Sequence, residues 1–155
     1  MKKPTINRTI LLFLLLSRLT TGTLTPRVPV PVLTLEEKQA VFSKLAARLI
    51  AHAGELGYDV TLGEAWRSEA VAASRPMRLW YSQHGEGIKN SLHTKRLAID
   101  LNIFHARKIL TKKADYEPLG VWWESQSTPL YRCRWGGRFK RTDADHFSIE
   151  HEGIQ

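Results

Sequence analysis

Cysteine is nearly absent. Cys133 is the single thiol in 155 residues, which excludes an internal disulfide and leaves packing, with or without a metal, to hold the fold. It stands among Tyr131, Arg132, Arg134 and Trp135 with no histidine or second cysteine at ligand-like spacing, so a small packed side chain is expected there rather than a reactive thiol. No apolar run reaches the ~20 residues that a membrane span requires. The run from Ile10 to Leu16 is followed closely by Arg18, and no stable membrane span is expected. Acidic residues are missing from Met1 to Leu33, where Lys2, Lys3, Arg8, Arg18 and Arg27 stand unopposed. Removing these five charges from the formal +8 leaves +3 for the remainder, too little to mark a polyanion-binding surface. With no glycine-rich or aromatic RNA-binding signature either, nucleic acid is not expected as a partner.

What is present suffices for one domain: 43% of the residues are hydrophobic, enough to bury an ordinary core at this length. Residues 1–22 combine a basic start with a short apolar run and have the layout of a signal or signal-anchor segment, although no Ala-x-Ala cleavage site follows. A disordered extension in front of a complete domain is the alternative. Pro26, Pro29 and Pro31 space out residues 23–33 as an extended linker. Residues 34–155 then form the folded unit.

Within that unit, Thr34 followed by Glu37 is a capping-box pattern, and Val41, Phe42, Leu45, Leu49 and Ile50 recur at helical spacing, so a helix is predicted from Thr34 to about Leu56, stopped by Gly57. Tyr58 to Trp66 reads as a strand. Ser68 caps a second predicted helix, interrupted near Pro76 and ending around Trp80 or Tyr81, with a loop at Gly85 and Gly87. Ala98 to Phe104 reads as the central strand. Its Ile99, Leu101 and Ile103 share the packed parity, and Asp100 points to the other face. A helix over Asp115 to Ser125 supplies Leu119, Trp122 and Trp123 as core candidates, with one of the two tryptophans expected inside and the other partly exposed. Gly136 and Gly137 form a turn, and His146 to Glu150 alternates as a last strand with His146 and Ser148 opposite Phe147 and Ile149. His52, His105 and His151 have no partner at ligand spacing and are expected as surface or packing groups. His84 could border a cleft, and Lys112 and Lys113 are expected in a solvated loop.

A zinc ion in an enzyme usually takes three protein ligands from histidine and carboxylate and leaves a fourth position to water. His93, Asp100 and His146 are such a set. His93 and Asp100 would lie ~20 Å apart on one straight strand at ~3.3 Å per residue, so sharing an ion demands a turn, and Thr94 to Leu97 is the place for it. Asp143, three residues before His146, is near enough to serve a water beside such an ion. Taken alone, these residues could equally be polar loop groups.

The strings that carry them are more specific. Ser91-Leu92-His93-Thr94-Lys95-Arg96-Leu97-Ala98-Ile99-Asp100 and Asp143-Ala144-Asp145-His146-Phe147 resemble the Ser-x-His-x-x-Gly-x-Ala-x-Asp and Asp/Glu-x-x-His signatures of the zinc D-alanyl-D-alanine carboxypeptidase and L-alanyl-D-glutamate endopeptidase family, which includes phage endolysins. Glu64-Ala65-Trp66-Arg67-Ser68 is similar to the family's strand-end segment bearing a substrate-binding arginine. The resemblance implies that His93, Asp100 and His146 bind Zn2+ and that Asp143, with Asp145 as its rival, is the catalytic acid/base. It further implies that Arg67 meets an oxyanion or a substrate carboxylate, and that Ser91 is a substrate contact or a support behind the ligands. One position departs: Arg96 stands where the signature has glycine, so a positive backbone angle there has to be accommodated at some cost.

The implied fold is α+β, a single small domain with an antiparallel sheet carrying the zinc site and helices packed on the other face. The implied activity is hydrolysis of peptidoglycan stem peptides, as an L-alanyl-D-glutamate endopeptidase or, alternatively, a D-alanyl-D-alanine carboxypeptidase. A non-catalytic, zinc-stabilised binding module is the reading from a different class. The expected species is a monomer exported to the periplasm or cell wall, or released to a host wall if phage-encoded.

Overall fold

The computed structural model describes residues 31–74 and 91–154. The segment at residues 1–22, most of the linker, the continuation of the second helix past Pro76, the loop at Gly85 and Gly87, and His84 lie outside these residues.

The first helix, α1 (Leu35–Glu55), begins where its capping box places it. The Thr34 hydroxyl accepts from Glu37 N, and the Glu37 carboxylate accepts from Thr34 N at 2.8 Å, satisfying two of the amides that a helix start leaves without partners. Phe42, Leu45, Ala46, Leu49 and Ala53 form its buried stripe. Gly57 ends it in a left-handed conformation (φ +81°) that glycine adopts without a Cβ penalty. Strand β1 (Asp59–Leu62) follows and is shorter than the sequence suggested. The regular register ends at Leu62, beyond which Gly63 and Glu64 still bond to Asp100 of the next strand, and Leu62 and Trp66 are exposed, so the alternation of apolar residues there does not report burial. Ser68 caps the short helix α2 (Glu69–Ala73), its hydroxyl accepting from Val71 N.

Strand β2 (Ala98–His105) is the middle of the sheet. It pairs antiparallel with β1 on one edge, and with β3 (Lys108–Leu110) and β5 (His146–Ile149) along the other. β4 (Cys133–Trp135) lies outside β5, giving the order β1-β2-β5-β4 with β3 beside the end of β2. Ile99, Leu101 and Ile103 are buried, while Asp100 and Asn102 are half-buried on the opposite face, as the parity predicts. β3 and β4 span three residues each, too few for a period-2 pattern to register, and neither is evident from sequence.

Helix α3 (Lys113–Ser125) covers the apolar face of the sheet together with α1. It starts two residues before the position expected, because Asp115 reaches back to accept from Lys112 N at 3.0 Å. Lys112 and Lys113 therefore open a helix rather than sit in a loop. Trp123 is fully buried, donates Nε1–H to Ser148 O at 3.0 Å, and meets Phe42 and Phe147 edge to face. Its neighbour Trp122 is half-buried and stacks on His52 at 4.9 Å. Trp123→Ala is expected to cost about 3–5 kcal/mol, since it opens a cavity and strands a buried carbonyl. Trp122→Ala should cost well under half of that, a contrast that urea titration of the two variants will measure.

Trp135, also fully buried, is gripped between backbones. A Cβ at Gly120 of α3 or at Gly137 would approach its ring to within 2.1 or 2.2 Å, so only glycine fits at either place. The indole Nε1–H donates to Ala144 O at 2.7 Å, which ties the loop preceding His146 to the core. Cys133 is buried as expected, and burial pushes its thiol up to about 12, leaving it protonated and inert.

Candidate metal centre

Register does the first part of the assembly. Asp100 and His146 are direct partners across the antiparallel β2–β5 pair, so their side chains leave the same face of the sheet side by side. Both backbone polar groups of Asp100 are engaged on the edge away from β5, since its N–H donates to Glu64 O at 2.9 Å and its carbonyl accepts from Gly63 N at 2.8 Å.

His93 arrives on a 3-10 turn, Leu92–Lys95, capped by Ser91 through a hydrogen bond from His93 N to the Ser91 hydroxyl at 3.3 Å. The chain must then reverse into β2 within a few residues, and Arg96 accomplishes this with φ +54° and ψ +38°. This is the left-handed conformation the signature's glycine would adopt freely, so the substitution is carried as local backbone strain rather than by a different turn. Leu97 N closes the turn on Leu92 O at 3.0 Å. A left-handed non-glycine residue costs roughly 1–2 kcal/mol. The guanidinium, 5.4 Å from the Trp66 ring centroid, returns about 0.5–1 kcal/mol. Arg96→Gly should consequently shift stability by less than about 1 kcal/mol, because lost strain is offset by the lost ring contact and a freer unfolded chain. Thermal melts test this, and a loss of several kcal/mol would contradict it.

The result is a tight triangle. His93 Nε2 lies 3.2 Å from His146 Nδ1 and 3.3 Å from Asp100 Oδ1, and His146 Nδ1 lies 3.1 Å from the same oxygen. Ligand bonds of ~2.0–2.2 Å in a tetrahedron place donor atoms ~3.3 Å apart, which is the spacing found. The donor chemistry fits as well: two imidazole nitrogens converge on one point, where a single shared proton serves them poorly and a divalent cation accepts both lone pairs. His93 and His146 are buried and Asp100 is half-buried, so the group opens to one side. Burial raises the Asp100 pKa, yet hydrogen bonds from His146 and His93 and the charge of both rings outweigh it and hold the carboxyl well below the usual carboxylate range.

Asp143 stands at the head of the turn leading into His146. Its N–H donates to Gly136 O at 3.0 Å and its carbonyl accepts from His146 N at 3.3 Å. Gly136 is required here, since a Cβ would fall 2.1 Å from Asp143 O and 2.9 Å from the His146 Cβ. The Asp143 carboxyl is pushed up to about 7 by burial first, then by the hydrogen bond and negative charge of Asp145, against the pull of His146. Its folded pKa thus exceeds the ordinary 3.8, so its contribution to stability is complete below pH ~4 and is lost as pH rises through about 7. Asp143→Asn, neutral throughout, should therefore gain stability relative to the parent between pH 4 and 8 in melts of the metal-free protein. A pH-independent difference would contradict the shift. Asp100 acts with the opposite sign, stabilising above its unfolded value and failing on acidification.

Arg67 is buried, and its N–H donates to His93 O at 3.3 Å, so it lies alongside the triangle. Its guanidinium is paired at two points with Glu64. The chain thus brings together His93, Asp100 and His146, sets Asp143 in the adjoining turn and Arg67 beside His93, and uses Ser91 to shape the turn. His105, which binds Gly57 O, and His151, beside Glu152, have other partners. Sequence reasoning missed Glu64, whose spacing of three before Arg67 was the available signal. It also missed Phe139, whose ring lies 5.7 Å from that of His146, and the necessity of Gly136.

Residues 84–149 match the family model described as D-alanyl-D-alanine carboxypeptidase. That segment spans the whole triangle and Asp143. Over that segment, which is somewhat under half of the chain, the protein is similar to this peptidase family. Among solved structures, the L-Ala D-Glu endopeptidase ChiX of Serratia marcescens is similar in fold, with a TM-score of 0.51 at 20% identity, over 74% of this chain and 85% of that one. No curated protein sequence matches the chain.

Proposed function

We propose that the protein is a zinc-dependent peptidase of bacterial peptidoglycan, cutting the stem peptide as an L-alanyl-D-glutamate endopeptidase. The observation that carries this reading is the convergence of His93 Nε2, Asp100 Oδ1 and His146 Nδ1 within 3.1–3.3 Å of one another, a donor set with the chemistry and spacing of a catalytic zinc site. The ChiX-like fold favours the endopeptidase over the carboxypeptidase named in the family description.

His93, Asp100 and His146 would hold the ion, which when bound supplies Lewis acidity and lowers the pKa of a water from 15.7 toward ~7. Asp143 is raised into the range where a carboxylate exchanges protons near neutral pH. In this role it takes the proton of the attacking water on a carboxylate oxygen and delivers it to the nitrogen of the departing amine. Arg67 directs its guanidinium at the oxygen where negative charge develops, or at a carboxylate of the substrate. The protein is further proposed to act as a monomer on stem peptides. Its route is export to the periplasm or cell wall through the basic and apolar segment at residues 1–22, or release to a host wall if the chain is phage-encoded. No described helix is long and apolar enough to cross a membrane.

Digestion of purified peptidoglycan followed by mass spectrometry of the products tests the assignment. New amino-terminal D-glutamyl peptides are expected. Free D-alanine alone would replace the endopeptidase with the carboxypeptidase, and no product from zinc-loaded protein would leave a binding module.

A further inference from the structure

Arg67 has a partner to which the peptidase reading assigns no role. Glu64 Oε1 accepts from Arg67 Nε at 2.7 Å while Oε2 accepts from an Nη of the same guanidinium. A buried arginine is thereby gripped at two points by a carboxylate that is itself only partly exposed. The backbone of the same segment is bound to the metal triangle at both ends. Gly63 and Glu64 bracket Asp100 with two hydrogen bonds, and Arg67 N donates to His93 O. Gly63 makes the close approach possible, since even a methyl group there would lie 3.0 Å from the Asp100 Cβ.

We infer that Glu64 is a positioning residue, fixing the plane and direction of the Arg67 guanidinium relative to His93, Asp100 and His146. The inference rests on the peptidase reading for its catalytic consequence. An arginine side chain has many rotamers, and a two-point pairing with a carboxylate is the arrangement that removes this freedom with direction as well as charge. A donor aimed at developing charge is effective in proportion to how little it must reorganise when the charge appears. Glu64 also offsets part of the arginine's positive charge, so it does not serve to strengthen anion binding in the ground state. Loss of Glu64 should therefore be felt in kcat more than in KM.

Glu64→Gln tests this, because it keeps the size of the side chain and one acceptor but turns an amide N–H2 toward the second donor. With zinc content unchanged, kcat is expected to fall roughly 10–100-fold, the scale of a small misplacement of a reacting group, with KM altered less than about threefold. In an Arg67→Lys background the same substitution should change kcat less than about threefold, because there is no longer a planar guanidinium to orient. An equal fall in both backgrounds, or no fall in the parent, would overturn the inference. A second measurement is independent of turnover: the Arg67 Nε–H resonance, assigned by its disappearance in Arg67→Lys, should exchange slowly with water in the parent and faster in Glu64→Gln. Exchange in the parent as fast as that of exposed arginines would overturn the positioning role, whatever the variants do. A parent protein that binds zinc but cleaves no wall peptide would defeat the peptidase reading instead, and the exchange rates would still decide whether Glu64 fixes the guanidinium.

Discussion

Asp143→Ala is expected to abolish wall digestion, with kcat lowered about 10²–10⁴-fold, the usual worth of a positioned general base, in a protein that still folds and still binds zinc. Asp143 is no member of the His93, Asp100 and His146 triangle, and its backbone rather than its carboxylate makes the bonds to Gly136 and His146. Truncating the side chain therefore leaves the turn intact. It also removes a half-buried carboxyl whose ionised form burial and Asp145 disfavour, so the variant should be no less stable than the parent at neutral pH. Activity of the parent should decline as pH falls through the Asp143 pKa, because a base must be unprotonated to accept a proton. A bound cation would draw that limb below about 7, the value reached without an ion by burial and Asp145 against the pull of His146. Undiminished lysis by Asp143→Ala would transfer the role to Asp145, and the matching Asp145→Ala variant would then have to be inactive.

His146→Ala is expected to lose the metal, and with it all detectable activity. Replacing partners that merely orient metal ligands commonly costs 10–100-fold in affinity, so removing one of three ligands should cost more than ~100-fold. His146 is also the residue whose register with Asp100 builds the site, and its ring packs near Phe139. The strand itself should survive, because Phe147 and Ile149 anchor β5 in the core from its other face. The discriminating pattern lies across the pair of variants: Asp143→Ala loses activity and keeps zinc, whereas His146→Ala loses both. A protein in which the metal only stabilised the fold would keep its function in the Asp143 variant.

Much of this was legible in the sequence, for reasons particular residues make plain. Strongly local signals carried through: the Thr34 and Glu37 capping pair, the helical stripe from Phe42 to Leu49, and the alternation of Ile99, Leu101 and Ile103, which put Asp100 on the opposite face. The two motifs named the three side chains that converge, and the demand for a reversal between His93 and Asp100 located the turn at Thr94 to Leu97. Arg96 was flagged by its departure from glycine, and its positive φ shows that the backbone kept its path despite the side chain. What could not be read is non-local or very short. β3 and β4 have three residues apiece and exist because β2 and β5 offer them an edge. The glycines at 120 and 137 matter only because Trp135, distant from Gly120 in sequence, lies flat against both. The same holds for Gly136, whose lack of a side chain is demanded by Asp143 and His146. The exposed alternation from Leu62 to Trp66 misled in the other direction, since apolar periodicity marks a strand only where a core receives it.

The most direct test is zinc analysis of the purified protein beside its His93→Ala, Asp100→Ala and His146→Ala variants, each dialysed against the same trace-metal buffer. One ion per chain is expected in the parent and none in any of the three. A parent devoid of zinc after loading, or an ion retained by all three variants, would contradict a shared metal site at these residues.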